Sequence, residues 1–337
     1  MKKIFLIGLA ATAMLTSCSN DENIEMPAQN NAIGFRTFVN KSTRATDIDN
    51  NNFTSFQVWG LMSKDNQTGT PFVGTTVTNE SGSWNYTTPV YWENGYKYSF
   101  VAVAPASTDN NWTLTAPTTV GDWGSIAFTN GKGETDLIAA TDGTWASSAV
   151  STTESCPAPI ELTFKHLLSR VRFAFENAMD DGSVINVTGV EITDAFTGGT
   201  VTLASDVDKS SWTVDKTSGN LAFGDVELAD DATTFAANTT AITNHKYMIP
   251  TTANANQTYK VKFTVTRTHH GVTDTYNHTD VVVPAPEGGW NPGKSYQFKA
   301  TLTAKNITEE ELCKIEFSAS VSEWGEFNSP GTDLNLN

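Results

Sequence analysis

The run VKFTVTR, residues 261–267, alternates apolar and polar side chains without a break. Val261, Phe263 and Val265 fall on one face, and a repeat of two residues is the period of a half-buried strand rather than of a helix. Three further runs carry the same pattern. RVRFAF (170–175) aligns Val171, Phe173 and Phe175; YQFKATL (296–302) aligns Tyr296, Phe298, Ala300 and Leu302; KIEFSASV (314–321) aligns Ile315, Phe317, Ala319 and Val321. Between such runs lie connectors such as NESGSW (79–84), FTGGT (196–200) and PEGGWNPGK (286–294), built from residues that supply turn conformations. No stretch reads as a long amphipathic helix. The expected class is all-β, with antiparallel sheets packed as sandwiches. A chain of 337 residues suggests two domains. The segment SSAVSTTESCPAPIEL (147–162) is rich in Ser and Thr, carries Pro157 and Pro159, and shows no alternation before Ile160. The junction is therefore expected near residue 159, dividing residues 45–159 from residues 160–337.

The first residues, MKKIFLIGLAATAMLTSC, join Lys2 and Lys3 to an apolar run from Ile4 to Leu15. That run is shorter than the about 20 residues needed to span a bilayer, and it fits an export signal over residues 1–17. The box LTSC resembles the lipobox of bacterial lipoproteins, which makes Cys18 the expected lipidated residue. Each buried methylene of an acyl chain adds about 0.8 kcal/mol of membrane affinity, so several chains would hold the protein on a membrane. The following SNDENIEMPAQNN is polar and acidic, a tether without core-forming capacity, and its acidic patch resembles the surface-export signal of Bacteroidales lipoproteins.

The formal net charge is −16, or −18 once Lys2 and Lys3 leave with the signal. Such a surface repels nucleic acid and anionic head groups. Cys156 and Cys313 are either a pair formed in an oxidising compartment or two half-buried thiols, and their separation does not decide which. No Cys/His spacing fits zinc, no G-x-S-x-G elbow occurs, and GKGET (131–135) lacks the phosphate-loop spacing. His269, His270 and His278 fall in an expected hairpin, where they read as surface histidines, and His166 reads as a packing residue at the domain junction. No enzyme activity, metal or cofactor is expected.

Several segments in order are similar to the fimbrillin-like lipoproteins, subunits of type V pili in Bacteroidales. VYWENGYKYSFVAVAP (90–105) has the tryptophan, turn, aromatic strand and Ala-Pro step. DLIAATDGTW (136–145), LTFKHLLSRVRFAF (162–175), YMIPTTANANQTYKVKFTV (247–265), WNPGKSYQFKATL (290–302) and IEFSASVSEWGE (315–326) follow in the family's order. The resemblance implies two consecutive transthyretin-like β-sandwich domains. It also implies maturation by an arginine-specific protease that removes an N-terminal strand, and filling of the opened groove by a strand from another subunit. An unpaired edge with apolar pockets is the physical basis of such exchange.

Carried onto this chain, the removable strand is AIGFRTFV (32–39), with Ile33, Phe35, Thr37 and Val39 on one side and Arg36 and Phe38 opposite. Residues 18–44 become the tether and that strand. Arg44, in the polar segment NKSTRATDIDNNN (40–52), is the expected cleavage residue and Ala45 the new N-terminus. The tail after Trp324, GEFNSPGTDLNLN, offers only Phe327, Leu334 and Leu336 as large apolar residues and is interrupted by Pro330-Gly331. It is a weak donor strand, which favours a tip or accessory subunit over a stalk subunit. The expected setting is the outer membrane and fimbrium, with other pilus subunits, the protease, the membrane and a surface ligand as partners. The alternative is a lipid-anchored module that binds glycans by stacking them on exposed tryptophans, of which the chain has nine. Burial of most of these rings in two cores would remove that platform.

Overall fold

The computed structural model describes residues 31–324 except 40–47, 51, 107–110, 153–156, 216, 229–232, 252–253 and 309–312. The first half supplies strands β1 (Phe35–Val39), β2 (Ser55–Lys64), β3 (Gln67–Glu80), β4 (Ser83–Asn85), β5 (Lys97–Ala104), β6 (Trp112–Thr115), β7 (Ser125–Thr129), β8 (Ile138–Asp142) and β9 (Ile160–His166). The second half supplies β10 (Ser169–Asn177), β11 (Val184–Phe196), β12 (Gly198–Thr202), β13 (Ser211–Val214), β14 (Ser218–Gly224), β15 (Glu227–Leu228), β16 (Thr240–Ile242), β17 (Lys246–Met248), β18 (Tyr259–His269), β19 (Val272–Val283), β20 (Lys294–Leu302) and β21 (Phe317–Glu323). The one α-helix among the described residues is short, Ala304–Thr308. No helix among the described residues is long and apolar enough to cross a membrane.

The chain is all-β. Its strands form a seven-stranded sheet in the order β1-β9-β8-β5-β2-β3-β4, a six-stranded sheet β15-β16-β10-β20-β21 with β17 also on β10, and two four-stranded sheets, β14-β11-β18-β19 and β13-β12-β7-β6. The run that opened the sequence reading lies in β18, which pairs antiparallel with both β11 and β19. Val261, Phe263 and Val265 enter one core together with Val171, Phe173 and Phe175 of β10 and Tyr296, Phe298 and Leu302 of β20. The two sheets of the second half thus bury one apolar face each against the other, the arrangement that alternation demands.

Three features depart from the sequence reading. Two pairs are parallel, β1 with β9 and β10 with β20, and a whole half-chain serves as the crossover in each case. Ile160–His166 pairs with β1 and β8, so the step from the first sheet to the next falls after His166 rather than near residue 159. The sheet β13-β12-β7-β6 takes two strands from each half, with Gly198–Thr202 of β12 antiparallel to Ser125–Thr129 of β7. A third apolar cluster follows from this sheet: it joins Val101 and Val103 of β5 to Trp112, Ile126, Phe128, Leu167, Val201, Trp212 and Trp324. A hydrogen bond from Asn130 Nδ2 to the Tyr247 carbonyl (2.9 Å) ties the halves together, and Trp212 Nε1 donates to the carbonyl of Leu167, just past β9, at 2.8 Å.

An alternating strand ordinarily turns its charged positions to water, yet Arg170 and Arg172 of β10 are 0% and 3% exposed. Their Nε atoms donate to Ser295 Oγ at 3.0 Å and Gln297 Oε1 at 2.7 Å on β20, and Arg170 lies over the Trp324 ring. Buried guanidinium groups require such acceptors, because an unpaired buried charge is strongly destabilising. Cys313 is a free, half-buried thiol, and Cys156 lies outside the described residues.

Candidate strand-acceptor groove

β1 occupies an edge of the seven-stranded sheet, in parallel register with β9 from Phe35 opposite Ile160 to Val39 opposite Phe164. Ahead of β1 the chain continues an extended path. Ile33 N–H donates to the Val90 carbonyl (2.8 Å), Trp92 N–H to the Asn31 carbonyl (2.7 Å), and Ile160 N–H to the Gly34 carbonyl (2.8 Å). The Tyr86 hydroxyl donates to the Ile33 carbonyl at 2.7 Å, and burial pushes that phenol's pKa up, which keeps it a donor. Edge pairing along 31–39 therefore draws on two separate strips of the first half, β9 on one side and residues 90–92 on the other.

The side chains divide as alternation requires. Ile33, Phe35 and Val39 are buried in the cluster formed by β2, β3, β5, β8 and β9, whereas Arg36 and Phe38 face solvent, Phe38 at 52% exposure. Thr37 is half-buried. Phe35 is the plug. Its ring meets Phe72 at 5.4 Å, Phe56 at 5.8 Å, Tyr86 at 6.0 Å and Phe100 at 6.3 Å between centroids, all edge-on. Burial of these three side chains is worth roughly 1.5–3 kcal/mol each, and each ladder hydrogen bond adds about 1 kcal/mol. The strand is thus well held, and its loss would bare an apolar trough lined by Phe56, Phe72, Phe100 and Phe164 beside the unpaired edge of β9.

Both ends of the segment that follows β1 are tied. Asn50 Oδ1 accepts from Val39 N–H at 2.9 Å, and its Nδ2 donates back to the Val39 carbonyl at 3.3 Å. Ile48 N–H donates to Asp136 Oδ2 at 3.1 Å, and the Asp136 carboxylate also accepts from His166 Nδ1 at 3.0–3.1 Å. Arg44 and Ala45 lie between these ties, outside the described residues, as do Cys18 and the tail residues Phe327, Leu334 and Leu336. The roles of Asn50, Tyr86 and Asp136 had no signal in the sequence: Asn50 sits in a run of three asparagines, and its partner is eleven residues back.

The remaining candidates fall as follows. His166 is buried at the end of β9 and stacks on Trp324 with 4.0 Å between ring centres. His269 and His270 sit at the β18–β19 turn, where His270 and Gly271 take positive φ, while His278 is 2% exposed against the Phe263 ring. Among the described residues no group of three or more His, Cys, Asp or Glu side chains is placed to hold a metal ion. None of the nine tryptophans is exposed: Trp92, Trp112, Trp123, Trp212, Trp290 and Trp324 are buried, and Trp59, Trp84 and Trp145 are half-buried. The rings therefore fill cores rather than form a stacking platform.

A family profile described as fimbrillin-like matches residues 43–324. Among solved structures, a fimbrial protein from Bacteroides vulgatus superposes with a TM-score of 0.59 at 18% identity, over 87% of this chain and 99% of that one. A proposed cell adhesion protein from Bacteroides ovatus gives a TM-score of 0.48 at 14% identity, over 87% and 97%. At the first of these levels the likeness is one of fold. No curated protein matches the chain.

Proposed function

The chain belongs to the fimbrillin-like family, and from that premise we propose that it is a fimbrial subunit matured by cleavage after Arg44 and assembled by strand exchange into the groove that β1 fills. The observation that carries this reading is the position of β1. It is an edge strand that completes a core made by other strands, and its covalent connection to the strands that follow runs through the polar segment that holds Arg44. One cut there would break the covalent link between the body and β1 with everything ahead of it, including the expected lipid on Cys18, and departure of the cut strand would then open β9 for a new partner. The profile match supports the same division, since it begins at residue 43 and leaves β1 outside. An all-β, adhesion-type family supports a structural rather than enzymatic role at the cell surface. The weak tail pattern supports a tip or accessory position, in which the subunit accepts a strand more readily than it gives one.

The test is intact-mass analysis after treatment with an arginine-specific protease, followed by an assay for multimers or for uptake of a donor-strand peptide. Selective cutting at Arg44 with subsequent strand uptake is the expected result, and Arg44→Ala should prevent both. Assembly that proceeds unchanged in Arg44→Ala would exclude this cut from maturation.

A further inference from the structure

Away from the groove, where the two halves meet, β9, β20, β21 and the turn at 291–293 surround a cavity of about 730 Å³. Its volume is within the range of roughly 300–1,000 Å³ in which small-molecule sites fall. Two side chains that line it are more than nine-tenths buried and each keeps a ring nitrogen without a partner among the described residues: Nε2 of His166 and Nε1 of Trp324. Buried polar atoms normally find hydrogen bonds, so two orphans on one cavity point to a ligand.

Their chemistry restricts the ligand. Asp136 is an acceptor only, and it faces His166 Nδ1 with both oxygens, so in the neutral ring Nδ1 carries the hydrogen and Nε2 presents a lone pair. Nε2 needs a donor, whereas the Trp324 N–H needs an acceptor. The wall repeats this mixture. Lys165 pairs with Asp208 at 3.0 Å and Lys294 pairs with Glu323, and each ammonium keeps donors beyond its ion pair while each carboxylate keeps lone pairs. The hydroxyl is the simple group that gives and takes at once. A carboxylate or phosphate would set lone pairs against Nε2, Asp208 and Glu323. The Trp324 ring stacks on His166 and on Tyr247 and lies under Arg170, so its orientation is fixed by packing.

We propose that this cavity binds a small polyhydroxylated ligand of saccharide size, with one hydroxyl or two adjacent hydroxyls bridging Trp324 Nε1–H and His166 Nε2. The test uses the full chain and the indole N–H signals in a two-dimensional proton–nitrogen spectrum, with D-glucose and myo-inositol as probes and acetate as the acceptor-only control. The Trp324 signal, identified by its loss in Trp324→Phe, should move saturably with both polyols at high millimolar concentration and stay still with acetate. Trp324→Phe retains the stacked ring and loses the donor; polyol binding read at the His166 ring protons should weaken roughly tenfold, the usual effect of losing one buried hydrogen bond. Polyols that leave the Trp324 signal unmoved, acetate that moves it in their place, or polyol binding unchanged in Trp324→Phe would each overturn the assignment.

Discussion

Replacing Phe35 with alanine tests how β1 is held. The ring is 6% exposed and touches four other aromatic rings, so truncation removes its transfer free energy and leaves a hole that rigid neighbours cannot close. Phe→Ala in a core costs about 3–5 kcal/mol. At a sheet edge, where solvent can enter the gap, about 3 kcal/mol is the reasonable figure. In the intact chain this lowers the stability of the first sandwich. In chain cut after Arg44 it acts on the contact between β1 and its groove, and about 3 kcal/mol corresponds to roughly a 150-fold faster release. The assay is loss of the β1-bearing fragment from cut protein, followed by size separation and mass. Phe38→Ala is the internal control: Phe38 is on the same strand but 52% exposed, and a surface substitution should change release by no more than about twofold. Equal release from the two variants would refute the claim that β1 is held by its inward face.

Two further outcomes follow from the topology and the electrostatics. A fragment ending at residue 159 lacks β9, β12 and β13, so it should show no cooperative thermal transition by circular dichroism; a sharp transition would show that the first half folds without its borrowed strands. Asp181 accepts from Ser183 N–H and Oγ and pairs with Arg267, which holds its carboxyl well below the usual range. A depressed folded-state value means that the interaction stabilises above the unfolded value of about 4 and fades as pH falls. The difference in urea midpoint between the parent and Asp181→Asn should accordingly be largest at neutral pH and shrink toward pH of about 2.

What could be read from the sequence was local. Period-two alternation in residues 32–39 and 261–267 depends only on neighbouring side chains, so the buried face of β1 and the class of the fold were both legible. Pairing is not local. Nothing in AIGFRTFV indicates that its partner is Ile160–Phe164, or that the pair is parallel, because the apolar face is satisfied equally by several registers. The same limit hid the sheet shared by both halves: FTGGT (196–200) reads as a turn, yet its Gly198, Gly199 and Thr200 open β12, and only the meeting of β12 with β7 in space makes them a strand across the expected junction. RVRFAF is the sharpest case. Its alternation aligns Val171, Phe173 and Phe175 and says nothing of Arg170 and Arg172, whose burial depends on Ser295 and Gln297, each 125 residues away. His166 was read as a packing residue from its place beside the junction, but its carboxylate partner at Asp136 had no spacing signature.

Asn50 adds a consequence for how maturation would run. It lies on the far side of Arg44 from β1, yet it holds both backbone groups of Val39, the last residue of that strand. Cutting the chain at Arg44 therefore leaves this tie intact, and β1 stays latched to the body that has lost covalent connection to it. Ile48, tied to Asp136, and Phe53, packed on Phe164 with 4.8 Å between ring centres, keep the body's new end in place meanwhile. Cleavage and opening of the groove are then separate steps, the second limited by the Val39 latch and the Phe35 plug. Two neutral hydrogen bonds contribute about 1–2 kcal/mol net, so Asn50→Ala should speed release of the cut strand by roughly 5- to 30-fold, less than Phe35→Ala, with no change in the rate of cutting. The two effects should add on the free-energy scale, because one acts at the last residue of the strand and the other at its first. Release that is already as fast as cutting in the parent, and unmoved by Asn50→Ala, would mean that the cut alone opens the groove.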